Sequence, residues 1–217
     1  MIKGAVLGSP ITHSLSPVLH AAAFEFLGIE GTYSAIEVVA GTLRDFVSQR
    51  GPEFDYLSLT MPLKEEVLSL EATADSLTTR IQSGNTLIQR NGTWSLTSTD
   101  GSGLVAALSN AGLTKFESVL ILGAGGTARA VTGALDSITI NLHVLGRSSV
   151  RQSAIEAAVL NSNFEYLRWS LDVDFSSYDL VVNTTPAGAA DLLQTAYNPA
   201  FRQPCSMHWP RPASTSK

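Results

Sequence analysis

The run Val119-Leu120-Ile121-Leu122 is continuously apolar, and it stops at Gly123-Ala124-Gly125-Gly126-Thr127-Ala128 before an alanine-rich segment of helical pattern. This order of β-rich run, glycine turn and helix constrains the fold more than any bulk property of the chain. Gly123 permits a tight turn, Gly125 lets the backbone approach a pyrophosphate, and Ala128 allows the helix to pack closely on its strand. The helix amino terminus then faces the anion. A G-x-G-x-x-[GA] pattern in this setting predicts a dinucleotide-binding α/β unit; the alternative is an ordinary glycine-rich strand-to-helix connection.

The rest of the chain has the same rhythm. Strands are expected at 2–7, 32–38 and 56–60 and helices at 17–27 and 42–49, followed by a helix beginning near Pro62. Two short strands at 86–89 and 94–97 flank Asn91-Gly92, which reads as a hairpin turn. A helix over 100–110 is stopped by Gly112. A second series has strands at 119–122, 140–145 and 178–183, with helices after Gly126 and near 150–160. The alternation predicts an α/β fold of βαβ units with mostly parallel sheet. A boundary is expected near Ser102, with residues 1–101 as an amino-terminal α/β domain, residues 102–199 as a Rossmann-type domain and residues 200–217, rich in Pro and Ser, as an irregular tail.

Composition narrows the partners. A chain of 217 residues with 44% hydrophobic and 15% charged residues has the make-up of a soluble globular protein. Its net charge of −5 and pI of about 5.3, with no basic run, give no footprint for nucleic acid. No apolar stretch reaches membrane-spanning length, and the amino terminus is too short in apolar residues for a signal peptide. Neither nucleic acid nor membrane is expected as a partner. The single cysteine, Cys205, has no intramolecular disulfide partner, which fits a reducing cytoplasm. His13 and His20 carry no ligand spacing, and no metal is expected.

An NAD site calls for an acid about 20 residues beyond the glycine turn. The strand over 140–145 leads instead into Gly146-Arg147-Ser148-Ser149-Val150-Arg151, whose guanidinium groups and hydroxyls suit a 2′-phosphate, so NADP is the expected cofactor. The bland alternative leaves Arg147 and Arg151 solvated and has the serines cap the next helix.

Candidate substrate groups lie in the first domain. In Ser14-Leu15-Ser16-Pro17, Pro17 suits the first helical position and Ser16 its cap, while a second hydroxyl at Ser14 suits a carboxylate ligand. Leu59-Thr60-Met61-Pro62-Leu63-Lys64 puts Lys64 in a first helical turn. The helix dipole disfavours a cation there, as befits a lysine used as acid or base; the alternative is a surface lysine paired with Glu65 or Glu66. Asp100, in Ser98-Thr99-Asp100-Gly101, reads on its own as a helix cap, and Asn85, after Gly84, as a turn residue.

Taken in order, Gly8-Ser9-Pro10-Ile11-Thr12-His13-Ser14-Leu15-Ser16-Pro17, the Leu59 to Lys64 stretch, Gly84-Asn85-Thr86-Leu87, Ser98-Thr99-Asp100-Gly101 and the glycine turn resemble the shikimate dehydrogenase family. The likeness runs over about residues 1–199, through Asn183-Thr184-Thr185-Pro186 and Tyr197-Asn198-Pro199. It implies NADPH-dependent reduction of 3-dehydroshikimate to shikimate, on the route to aromatic amino acids. It also implies that residues 1–101 are the substrate-binding and catalytic domain and that the Rossmann-type domain over 102–199 is incomplete. By position, Ser14 and Ser16 would hold the substrate carboxylate, and Thr60, Asn85 and Asp100 the ring hydroxyls, with Tyr197 also at the substrate. Lys64 would be the acid/base, oriented by Asp100. The cofactor would meet residues 123–128 (Gly123, Ala124, Gly125, Gly126, Thr127, Ala128), Arg147, Ser148, Arg151, Asn183 and Thr184.

The chain departs from the family pattern in three ways. Gly146 replaces an Asn, the segments 80–85 and 186–197 are short, and 201–217 is unlike the expected continuation. A catalytically impaired, ligand-binding remnant and a quinate dehydrogenase are the other readings.

Overall fold

The computed structural model describes residues 1–194; the expectations for Tyr197, Cys205 and the tail lie outside the described residues. The chain divides into two compact units, one of Met1–Thr99 and a second beginning at Asp100.

The first unit comprises β1 (Ile2–Gly8), α1 (Ser16–Leu27), β2 (Gly31–Glu37), α2 (Leu43–Arg50), β3 (Tyr56–Leu59), α3 (Leu63–Glu66), β4 (Ala72–Ala74), α4 (Ser76–Ile81), β5 (Thr86–Arg90) and β6 (Thr93–Thr97). Its sheet has the order β2-β1-β3-β5-β6-β4. The expectation of mostly parallel pairing holds for β1 with β2 and β3, and β4 joins β6 in parallel. From β3 onward, however, β5 and β6 pair antiparallel, so the sheet is mixed. For β5 and β6 the cause is the hairpin at Asn91-Gly92. Both residues have positive φ, 52° and 77°, the twist that returns a strand beside its predecessor.

Alternate residues of these strands, Ala5 and Leu7, Leu57 and Leu59, Leu87, Leu96, enter one core with Leu43, Leu63 and Val67. On the opposite face of the sheet, over Gly4, His20 of α1 stacks on Tyr33 with ring centroids 3.7 Å apart, and its Nδ1 lies 2.7 Å from the Tyr56 hydroxyl. Burial first, then the neighbouring Tyr33, pushes the Tyr56 phenol up to about 12.

The second unit comprises α5 (Asp100–Asn110), β7 (Phe116–Leu122), α6 (Gly126–Leu135), β8 (Thr139–Gly146), α7 (Gln152–Glu156), β9 (Asn163–Arg168), β10 (Leu180–Asn183) and α8 (Asp191–Gln194). Its sheet, β10-β7-β8-β9, is parallel throughout. The continuous apolar run of β7 follows from burial on both faces. Val119 and Ile121 pack with Leu104 and Leu108 of α5 and with Val131 and Leu135 of α6, while Leu120 and Leu122 pack with Ala190 and Leu193 on the other side.

The helix expected near 150–160 is shorter than that, a 3-10 turn at Ser149–Arg151 followed by α7. Strands β4 and β9 and helix α4 are not among the elements expected from sequence. For β9 the signal is present: half-buried Phe164 and Tyr166 alternate with exposed Asn163 and Glu165.

Candidate functional site

In the first unit, backbone hydrogen bonds bring the candidate substrate segments side by side. Ser9 N donates to Met61 O at 3.0 Å and Thr60 N to Leu7 O at 2.9 Å, which joins the loop after β1 to the turn after β3. Leu59 N donates to Asn85 O at 2.7 Å, and Gly84 N to Lys64 O at 2.9 Å. Thr60, Lys64 and Asn85 therefore come from neighbouring chain segments although they are far apart in sequence.

At α1 the serines exchange roles. Ser16 is the first helical residue and Pro17 the second, so Ser16 is not the cap expected from sequence; Leu15 holds the cap position. The Ser14 hydroxyl oxygen, two residues earlier, accepts from Ser16 N at 3.3 Å. A prolyl ring is accepted anywhere in the first turn, where backbone N–H groups have no intrahelical partner, and this moves the helix start by one residue.

Lys64 is half-buried in the single turn of α3, between fully buried Leu63 and half-buried Glu65. Glu66 has a function with no local sequence signal. Its carboxylate accepts from Gly41 N at 2.9 Å and Leu43 N at 3.0 Å, so it holds the amino terminus of α2 and anchors the helix that carries Lys64. The acid/base pairing of Lys64 with Asp100 remains an expectation. Asp100 is not a cap in the usual place, for it is itself the first residue of α5 and begins the second unit. Asn85 is more than a turn residue. Its Oδ1 accepts from Thr99 N at 3.0 Å and from the Thr86 hydroxyl at 2.8 Å, and its Nδ2 donates to Thr99 Oγ1 at 3.0 Å, which fixes the residue that leads into Asp100.

In the second unit the glycine turn has the geometry its sequence predicts. Gly123 has φ +105°, and a Cβ there would stand 2.7 Å from Thr184 Oγ1, so a side chain is excluded by both backbone and space. Thr184 binds the same turn: its N and Oγ1 both donate to Leu122 O, at 2.9 and 2.7 Å. Asn183, at the end of β10, accepts from Thr185 N and Oγ1 through its Oδ1 at 3.0 and 2.7 Å. Gly125 occupies the cap position of α6, Gly126 opens the helix with Thr127 beside it, Ala124 packs on the core, and Ala128 is fully buried. The ten-residue α6 presents its amino-terminal amides beside this turn.

After β8, Arg147 is exposed, with its guanidinium carbon 5.6 Å from the centre of the Trp169 ring. Ser148 Oγ accepts from Val150 N at 3.2 Å, so the capping foreseen in the bland alternative occurs, on a 3-10 turn. Arg151 reaches back toward the glycine turn: its Nη1 is 3.5 Å from where a Cβ on Gly125 would lie. Arg151 thus adds a cation beside the amino-terminal amides of α6, an arrangement suited to an anion, while Arg147 lies on the same loop against Trp169. Among the described residues no group of three or more His, Cys, Asp or Glu could hold a metal ion, and no helix is long and apolar enough to cross a membrane.

Residues 6–87 match the family model of the shikimate dehydrogenase substrate binding domain. The shikimate dehydrogenase (NADP(+)) of Methanococcoides burtonii is 36% identical over 186 residues, which cover 85% of this chain and 68% of that protein. The chain belongs to the shikimate dehydrogenase family. Another member, the shikimate dehydrogenase (NADP(+)) of Staphylococcus aureus, is 33% identical over 195 residues, covering 87% of the chain and 70% of the relative. In three dimensions the family likeness extends to the shikimate 5-dehydrogenase of Thermus thermophilus, solved in complex with NADP(H) and shikimate. The TM-score is 0.75 at 34% identity, with 85% of this chain and 69% of that one covered.

Proposed function

We propose that the chain acts as an NADP-dependent shikimate dehydrogenase, reducing 3-dehydroshikimate to shikimate in aromatic amino acid biosynthesis. The observation that carries this reading is the joining of Thr60, Lys64 and Asn85 by the Leu59–Asn85 and Gly84–Lys64 backbone bonds, in a chain whose relatives bear that name. Ser14 and Ser16, at the start of α1, bind the substrate carboxylate. Thr60, Asn85 and Asp100 hold the ring hydroxyls. Lys64 donates a proton to the ketone oxygen as the carbon is reduced, and Asp100 orients that exchange.

The donors of the second unit fit a 2′-phosphorylated dinucleotide: the turn at Gly123 and Gly125 admits a pyrophosphate, and Arg147, Ser148 and Arg151 supply cations and a hydroxyl where no acid stands. Asn183 and Thr184 border the same turn. NADPH, when bound, supplies the hydride. A cytoplasmic location is part of the proposal and is supported by the single cysteine.

The direct test is an absorbance assay of NADP reduction with shikimate, with quinate and NAD as separate controls; no turnover with shikimate rejects the proposal. Two substitutions refine it. Arg147→Ala is expected to weaken NADPH by about 1.5 to 3 kcal/mol, the loss of a charged hydrogen bond, and to leave NADH nearly unchanged. Titration of both cofactors checks this, and equal weakening defeats the 2′-phosphate assignment. Because Ser16 is the first helical residue and not the cap, Ser16→Ala is expected to raise the KM for shikimate roughly tenfold or more without lowering the melting temperature. An unchanged KM removes Ser16 from the carboxylate site.

A further inference from the structure

Strand β8 ends at Gly146, and a Cβ there would lie 1.8 Å from the Tyr166 hydroxyl oxygen and 2.4 Å from its Cζ. Any side chain at position 146 would displace the phenol. Tyr166 pairs in register with Val144 on the neighbouring strand. A ring laid along the strand covers about two residues of rise, roughly 6.5 Å, which brings its hydroxyl over Gly146. That hydroxyl donates to the carbonyl oxygen of Ser148 at 2.7 Å.

Further along the same chain segment, Trp169 N donates to Gly146 O at 2.9 Å, and the indole ring lies beside the Arg147 guanidinium. Burial raises the Tyr166 phenol above its ordinary range, and the nearby positive charge of Arg151 draws it down. Arg147, Ser148 and Arg151, the polar groups of the loop after β8, thus each have a neighbour on β9 or just beyond it.

We propose that Tyr166 is a positioning residue for recognition of a nucleotide 2′-phosphate. By filling the space above Gly146 and holding the Ser148 carbonyl, it fixes the loop that carries Arg147 and Arg151 without itself touching the nucleotide. The inference rests on the NADP reading and deepens it: the absence of a side chain at 146 is the complement of a tyrosine at 166. Trp169 supports the same loop by keeping the Arg147 guanidinium against its ring.

The test compares binding of 2′,5′-ADP and 5′-AMP by calorimetry, because the two probes differ in the 2′-phosphate alone. Tyr166→Phe removes the bond to Ser148 and little else. It is expected to weaken 2′,5′-ADP about fivefold, the equivalent of one hydrogen bond, while 5′-AMP binding is unchanged. Gly146→Ala, which displaces the phenol from the opposite side, should cause the same selective loss. Melting curves identify any variant that has unfolded.

Equal weakening of both probes by Tyr166→Phe would mean that the phenol touches the adenosine, and no effect on either would mean that it positions nothing; each result overturns the proposal. If the unsubstituted chain itself binds 2′,5′-ADP no better than 5′-AMP, the NADP reading fails and takes the inference with it. A parental preference for 2′,5′-ADP that Tyr166→Phe leaves intact defeats the inference alone.

Discussion

Lys64→Ala is expected to lower the turnover of shikimate by roughly 100- to 10,000-fold, the usual contribution of a general acid or base, while the chain melts close to the parental temperature. The separation of activity from stability follows from what the substitution leaves in place. The bond that ties α3 to the Gly84–Asn85 turn uses the Lys64 carbonyl, not its side chain, and Leu63 remains buried beside it. Glu66 continues to hold the α2 amides through its own carboxylate. With these backbone bonds unchanged, the loss is confined to the Lys64 side chain, and steady-state kinetics should show kcat falling far more than KM rises. Near-parental turnover in Lys64→Ala would make Lys64 an ordinary surface lysine and remove the acid/base from the proposed mechanism.

The parts of this molecule that could be read from sequence are those whose causes are local. A turn that needs Gly123 at positive φ, a hairpin at Asn91-Gly92, and a helix that runs over Asp100–Asn110 are each decided by residues within a few positions of one another. The continuous apolar run of β7 likewise announces a strand covered on both faces. The start of α1 was less legible because Pro17 is compatible with more than one place in a first turn, and the choice moved the cap from Ser16 to Leu15.

What could not be read depends on groups distant in the chain. The Asn85 side chain bonds to Thr99, 14 residues away, and Glu66 holds amides about 25 residues back. Tyr166 meets Gly146 and Ser148 across a strand pair. No periodicity or capping rule reports such pairs, since the physics that selects them is the packing of the finished sheet. The candidate cofactor loop was therefore recognisable by its arginines, while the residues that hold it were not.

Asp136→Ala is expected to destabilise the second unit by about 3 to 5 kcal/mol, because several N–H groups would lose the acceptor they share. Asp136 is 2% exposed and occupies the carboxyl-terminal cap position of α6. A negative charge at that end of a helix opposes the dipole, so its presence calls for a stronger compensation. The compensation comes from the segment leading into β9: Leu160 N, Asn161 N and Ser162 N donate to the carboxylate at 2.9, 3.0 and 2.9 Å, and Asn161 Nδ2 donates at 2.8 Å. The Ser162 hydroxyl completes the clasp by donating to the carbonyl oxygens of Asp136 and Thr139. Alanine would leave three backbone amides without their acceptor, each costing about 1 to 3 kcal/mol before water offsets part of it. Burial alone would raise the Asp136 carboxyl, but the amides of Ser162, Asn161 and Leu160 together outweigh it, and the carboxyl lies below its ordinary value. A carboxyl lowered in the folded state contributes stability that is complete above the unfolded value and is lost as pH falls through the folded one, so the window lies below about pH 4. Denaturant melts of the parent and of Asp136→Ala from pH 7 down to pH 3 should therefore show a large gap that narrows at the acid end. A gap under about 1 kcal/mol at pH 7, or one that is constant with pH, would mean that the clasp does not hold β9 in place.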